Sequence, residues 1–101
     1  TLFPYTTLFR SLRNDPATNA MVREVATALF GAEQVGEVKP FMGSEDFAFM
    51  LEQHPHGSYF TIGAGDEPDR CMVHNPGYDF NDALLLTGAA LWCGLTERYL
   101  R

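Results

Sequence analysis

Three histidines, thirteen carboxylates and two cysteines carry what chemistry this 101-residue chain could do. His74 has the most deliberate surroundings, Met72-Val73-His74-Asn75-Pro76-Gly77-Tyr78-Asp79-Phe80-Asn81-Asp82. Asn75-Pro76-Gly77 is turn chemistry, in which Pro presets one φ and Gly tolerates a positive one. Such a turn fixes where the imidazole points. A fixed imidazole serves as a metal ligand, as an acid–base group or as a hydrogen-bonded structural residue, and the spacing leaves all three open.

The remaining candidates are weaker. His54 and His56 flank Pro55 at a predicted helix end. A His-x-His pair can hold a metal, but decorating a turn near a helix C-terminus also suits histidine electrostatically. Glu45-Asp46 is either a general acid–base pair or the charge complement of a helix start. Gly43-Ser44 at that start could bind an anion through backbone N–H groups, although the adjacent carboxylates oppose it. Gly63-Ala64-Gly65 lacks the third glycine of a dinucleotide fingerprint and runs into Asp66-Glu67, which excludes nucleotide binding. Ser44 and Ser58 have no nucleophile-elbow context, which argues against a serine hydrolase. Cys71 and Cys93 form no CxxC pair and no disulfide framework; free thiols of a cytoplasmic protein are the reading.

These residues need elements to hold them. Asp15 is placed to cap a helix with Pro16 at its first position, and Gly31 to end it. Between them Met21, Val22, Val25, Ala26, Leu29 and Phe30 form one apolar stripe. Val35 to Phe41 reads as a short strand, with Pro40 near its end. Ser44 is the expected cap of a second helix, which turns Phe47, Met50 and Leu51 inward and stops at His54-Pro55-His56-Gly57. Ser58 to Ile62 reads as a buried strand. A last helix starts near Asn81-Asp82. Its leucines, alanines, Trp92 and Cys93 leave almost no polar face, so it is expected to be buried on several sides. The order α-β-α-β-α is the alternating signature of an α/β protein with a right-handed crossover between parallel strands. Some 90 residues cannot surround such a last helix, which points to missing protein.

Composition narrows the partners. The formal net charge is −6, and setting Arg10 aside leaves six basic against thirteen acidic residues, net −7. The basic residues are scattered, which speaks against nucleic acid and anionic membranes. No apolar run approaches the ~20 residues that span a bilayer.

Residues 1–11 read differently from the rest. They have no clear period and no cap, and they lack the basic region and apolar core of a signal peptide. They resemble the in-frame translation of a common sequencing-library adapter at all eleven positions. The expectation is therefore a non-native segment at 1–11 and natural sequence at 12–101.

Four pieces now line up in one order: Met42-Gly43-Ser44-Glu45-Asp46-Phe47, Tyr59-Phe60-Thr61-Ile62-Gly63, His74 through Asp82, and Thr87-Gly88-Ala89-Ala90. Together they resemble the C-terminal segment of the M20 metallopeptidases, over about Arg13 to Arg101. The amidohydrolase branch, which acts on hippurate, N-acyl amino acids and auxin conjugates, is the most similar. The resemblance implies the C-terminal portion of a catalytic α/β sandwich with two divalent metals (zinc, manganese, cobalt or nickel) that clamp a water and polarise an amide carbonyl. It implies that His74 is the last metal ligand in the chain. It places Gly43 and Ser44 in a loop lining the substrate cleft. Glu45, Asp46 and Asn75 then have supporting roles beside the ligands.

The departures are as informative. The other ligands and the glutamate base belong to the N-terminal part of that family, and the inserted lid domain, which also makes the dimer, is absent here. One histidine cannot hold a catalytic metal, which needs about three protein ligands. The expectation is a cytoplasmic, homodimeric parent that hydrolyses N-acyl amino acids, and a chain that is its inactive fragment. The competing reading is a non-catalytic α/β interaction module that keeps the fold alone.

Overall fold

The computed structural model describes residues 11–40 and 43–101. Residues 1–10 of the adapter-like stretch, Phe41 of the first expected strand and Met42 of the first family-like motif lie outside the described residues. The order of elements is α1 (Pro16–Phe30), a 3-10 turn (Ala32–Gln34), α2 (Phe47–Gln53) and α3 (Leu84–Leu100).

No strand or sheet occurs among the described residues, so the expected α/β sandwich with order α-β-α-β-α is corrected to helices joined by extended and turning segments. A strand exists only through a neighbour that completes its ladder, and both expected strands find side chains instead. Asn14 Oδ1 accepts the Tyr59 N–H at 2.7 Å, and Asn14 Nδ2 donates to the Tyr59 carbonyl at 2.8 Å. That one amide takes both backbone groups which a neighbouring strand would otherwise pair. In the 35–40 segment, Arg23 Nη1 donates to the Gly36 carbonyl at 3.2 Å and stands 3.7 Å from Glu37 Oε1.

The chain divides into two compact units, Thr1–Tyr59 and Phe60–Arg101. In the first, α1 begins as the sequence dictates. Asp15 has extended backbone, and its carboxylate accepts from the Thr18 N–H at 2.9 Å and the Thr18 hydroxyl at 2.7 Å. These two bonds, the hydroxyl's foremost, hold the Asp15 carboxyl below its ordinary range, with His56 adding a smaller attraction. The same helix end gathers the 56–59 segment. The Asp15 N–H donates to the Gly57 carbonyl at 3.0 Å, the Thr18 hydroxyl to the His56 carbonyl at 3.2 Å, and the Ser58 hydroxyl to Asn19 Oδ1 at 3.3 Å. Gly31 ends α1 at φ 92°, a backbone that a side chain rarely adopts, while its N–H closes on the Thr27 carbonyl.

Packing departs from the expected stripes in detail. Val22 and Val25 of α1 are buried, but Leu29 is 45% exposed. In α2 the inward residues are Ala48 and Leu51, while Met50 faces solvent. Ser44 does not cap α2, which begins at Phe47 after Asp46; Glu45 Oε1 accepts the Phe47 N–H at 3.2 Å instead. A seven-residue helix has room for only two inward turns, which is why the stripe narrows to i, i+3.

In the second unit α3 starts two residues later than the Asn81-Asp82 signal. Asn81 Oδ1 accepts the Ala83 N–H at 3.1 Å, and Asn81 Nδ2 donates to the Ala64 carbonyl at 2.9 Å. Phe60 and Trp92 stack at a tilt with ring centres 6.0 Å apart. Only Leu91 and Leu95 of α3 are buried, so the helix expected to be covered on several sides is covered on one. Cys93, assigned to the core by its apolar neighbours, is exposed.

The cap at Asp15 generates a signed expectation. A carboxyl whose pKa is lowered by folding contributes stability above its unfolded pKa, and loses it as pH falls through the folded value. Asp15→Ala should lower the melting midpoint near neutral pH and flatten the acid limb of the melting-versus-pH curve. Asp15→Asn, which keeps the cap without the charge, should flatten that limb while retaining most of the midpoint. Melts followed by circular dichroism across the acid range check both.

Candidate functional site

The loop around His74 is two turns in series. The Asn75 N–H closes on the Met72 carbonyl at 3.2 Å, and the Tyr78 N–H on the Asn75 carbonyl at 2.9 Å. In the first turn His74 is the third residue and has φ 69°, the one positive φ carried by a non-glycine residue among the described residues. A positive φ at that position is the type II pattern, where Gly or Asn is usual. A side chain there costs on the order of 1 kcal/mol. In the second turn Pro76 takes the position its ring suits, and Asn75 Oδ1 accepts the Gly77 N–H at 2.8 Å.

The positive φ thus falls on His74 and not on Gly77, the residue whose type tolerates it. Its missing side chain answers a close approach instead: a Cβ there would stand 3.1 Å from Cys71 Sγ and 3.3 Å from Asn75 Oδ1. The result is an imidazole held out to solvent on a fixed backbone. Asn75, expected to support the ligand, spends its side-chain oxygen on the turn. Downstream, Tyr78 and Phe80 meet edge to face with centres 5.3 Å apart, which stiffens the exit towards α3.

Beside this loop Arg70 Nε donates to Glu67 Oε2 at 2.6 Å. That bond is the main reason the Glu67 carboxyl lies below its usual range and the Arg70 guanidinium above its own. The pair borders a shallow groove of about 240 Å³ that also includes Asp69, Cys71, Gly77 and Asp79. The ion pair with Arg70 gives the acidic stretch Asp66–Asp69 internal order.

Gly43, Ser44, Glu45 and Asp46 belong to the first unit, and His74 and Asn75 to the second. All six are exposed. Within the first unit Glu45 is drawn to a partner that the sequence did not announce, since Tyr59 lies fourteen residues away and no local spacing links them. The Tyr59 hydroxyl donates to Glu45 Oε2 at 3.1 Å, and its ring lies 5.7 Å from that of Phe47. This hydrogen bond, and then the carboxylate's charge, push the Tyr59 phenol above its ordinary pKa. Glu45 therefore serves both the start of α2 and a phenol. His54 ends α2 through its backbone N–H, and His56 contributes its carbonyl to Thr18, so both act through backbone in turns.

Among the described residues no group of three or more His, Cys, Asp and Glu side chains could hold a metal ion. The metal centre that the M20 resemblance implies is thus not gathered among the described residues, where His74 has no companion ligands. No described helix is long and apolar enough to cross a membrane.

The Glu45–Tyr59 bond is directly testable. In a spectrophotometric titration Tyr59 should ionise at higher pH than a free phenol, and Glu45→Gln should shift that step downward. A Tyr59→Phe chain identifies the step by its loss.

Several known proteins are similar to the chain. The chain is 34% identical over 89 residues to IAA-amino acid hydrolase ILR1-like 4 of Arabidopsis thaliana, covering 86% of this chain and 20% of that protein. It is 31% identical over 98 residues to the putative amidohydrolase YhaA of Bacillus subtilis, covering 96% and 25%. It is 34% identical over 92 residues to the hippurate hydrolase of Campylobacter jejuni, covering 90% and 23%. The chain thus spans about a fifth to a quarter of the length of these curated relatives. No solved structure matches it significantly. The profile of peptidase family M20/M25/M40 matches residues 4–98, starting inside the adapter-like stretch and running almost to the end of α3, and on that match the chain belongs to this family.

Proposed function

We propose that this chain is the C-terminal portion of a longer amidohydrolase that cleaves the amide bond of N-acyl amino acids or related conjugates, and that His74 is one of that enzyme's metal ligands. The observation that carries the reading is the backbone of His74. A non-glycine residue at φ 69° in a tight turn costs stability. The cost has a use if the imidazole must point where no relaxed turn would send it. Family membership, and relatives whose names specify amino acid conjugates and hippurate, support the substrate class.

In this reading residues 12–101 are the natural sequence and residues 1–11 are adapter-derived. The metal, when bound to the parent, would polarise the amide carbonyl and activate a water; zinc, manganese, cobalt and nickel are the proposed ions. His74 would present a neutral imidazole nitrogen, Gly43 and Ser44 would line the cleft, and Glu45, Asp46 and Asn75 would hold the loops on either side. The remaining ligands and the general base would come from sequence preceding residue 12, so this chain alone is expected to be inactive. A cytoplasmic location accords with two free cysteines. The homodimer of the parent would form through sequence this chain does not contain.

Recovering the source gene and expressing the whole protein tests this. His74→Ala in the full-length enzyme should abolish tight metal retention. It should also lower kcat/KM by more than the roughly 10–100-fold typical of losing an outer partner of a ligand. The chain alone should show neither tight zinc binding nor hydrolysis of an N-acyl amino acid. Tight zinc binding by the chain alone, abolished by His74→Ala, would overturn the fragment reading. A start codon just upstream of Leu12 would remove the enzyme assignment, leaving a non-catalytic interaction module.

A further inference from the structure

Both oxygens of the Glu45 carboxylate are engaged, and with unlike partners. Oε1 accepts the Phe47 N–H at 3.2 Å, within its own segment. Oε2 accepts the Tyr59 hydroxyl at 3.1 Å, from a residue fourteen positions away. The first bond opens α2. The second ties the stretch that leads into α2 to a distant part of the same compact unit. We propose that Tyr59 is a positioning residue for substrate binding: its hydroxyl holds Glu45, and through Glu45 the adjoining Gly43-Ser44 backbone, in the conformation that receives an N-acyl amino acid. This rests on the reading given above, in which Gly43 and Ser44 line the substrate cleft of the longer enzyme.

Three observations make Tyr59 an anchor for that loop. The first is its backbone, which is held on both sides by one side chain. Asn14 Oδ1 accepts the Tyr59 N–H at 2.7 Å, and Asn14 Nδ2 donates to the Tyr59 carbonyl at 2.8 Å. The second is its ring, which meets that of Phe47 at a tilt of 42° with centres 5.7 Å apart. Phe47 is the first residue of α2, so the contact sits where residues 43–46 enter the helix. Backbone and ring thus set the place of the hydroxyl independently of Glu45.

The third is the state of Glu45 itself. Its carbonyl accepts the Ala48 N–H at 3.1 Å, and the Asp46 carbonyl accepts the Phe49 N–H at 3.0 Å. The backbone of both residues is therefore committed to the first turn of α2. With the carboxylate tied to Tyr59 as well, Glu45 cannot swing away without giving up a bond. Gly43 and Ser44 are both exposed, so this fixed end is what limits the paths the loop can take.

The same geometry says which kinetic constant the hydroxyl governs. Its proton is given to Glu45, so it acts on substrate through the loop and not by contact. A loop that spends only part of its time in the receptive conformation lowers apparent affinity by that fraction. Once substrate is bound, the chemical step is the same. Tyr59→Phe removes the hydroxyl while keeping the ring against Phe47 and the backbone bonds to Asn14, so the fold is retained.

The test uses the full-length enzyme recovered from the source gene, with hippurate as substrate. Tyr59→Phe should raise KM by about threefold to tenfold, the size of one lost hydrogen bond. Its kcat should stay within about twofold of the parent's, because only binding is affected. Metal content and melting midpoint should be unchanged. Glu45→Ala should raise KM at least as much, and adding Tyr59→Phe to it should raise KM no further, since both act through one bond.

An unchanged KM in Tyr59→Phe would overturn the proposal. So would a double variant in which the two effects multiply. A fall in kcat accompanied by a lower melting midpoint would mean a structural role only, and would overturn it too. Each of these results leaves the amidohydrolase reading standing. A full-length protein that hydrolyses no N-acyl amino acid would instead sink that reading, and the role of Tyr59 with it.

Discussion

An amide side chain stands where the first unit would otherwise need a neighbouring strand. Asn14 satisfies both backbone groups of Tyr59, and the next residues of the same helix end take the carbonyls of His56 and Gly57. Backbone polar groups outside helices and sheets are paired with side chains or with water. Here the partner is the N-terminus of α1, whose own first turn has N–H groups and cap side chains to spare. Much else follows from this clasp. It holds the segment between α2 and residue 60 against α1, brings Tyr59 within reach of Glu45, and explains why Asn14-Asp15-Pro16 performs more than a local capping task. The clasp makes a substitute for a sheet, with the hydrogen bonds of one ladder rung and none of the ladder's length.

A substitute of this kind suits a chain with little core. Six apolar side chains are buried among the described residues, four in the first unit and two in the second, and none of the six is wholly sealed from solvent. Apolar burial is the main favourable term in folding and scales with area. A chain that buries so little leaves large apolar side chains in water: Met72, Phe80, Leu85, Leu86, Trp92, Tyr99 and Leu100 are all more than 60% exposed. Small domains sit near this limit because their surface is large for their volume. The chain spans only a fifth to a quarter of its relatives' length, and a surface of this kind is what a piece of a larger protein presents.

The sequence disclosed whatever is decided locally. The start of α1 at Asp15-Pro16, its end at Gly31 and the turn of Asn75-Pro76-Gly77 all follow from residues within four positions of one another, where capping and φ preferences act. Decisions made at a distance were hidden. The two expected strands were read from β-rich composition, but a strand is a relation between segments, and composition does not say whether a partner is present. Asn14 could not be identified as that partner from a separation of 45 residues. Glu45 and Tyr59 were concealed in the same way. The inward face of α2 was legible only in part, Leu51 being buried and Met50 exposed, since two turns are too few to define a stripe.

His74 shows how the two kinds of information combine. Composition marks it only as one histidine of three in an acidic chain. The turn residues that follow say the loop is ordered, yet they attract attention to Gly77 as the residue with conformational licence. The structure transfers that licence to His74, and gives Gly77 the different task of letting Cys71 and Asn75 come close. A relaxed turn would have put glycine or asparagine at position 74 and an ordinary φ at its neighbour. His74 is exposed, so burial of its own side chain does not offset the strain of that backbone. An imidazole on that backbone is held there at a cost in stability. In a member of peptidase family M20/M25/M40, that backbone is the observation on which the proposed ligand role of His74 rests.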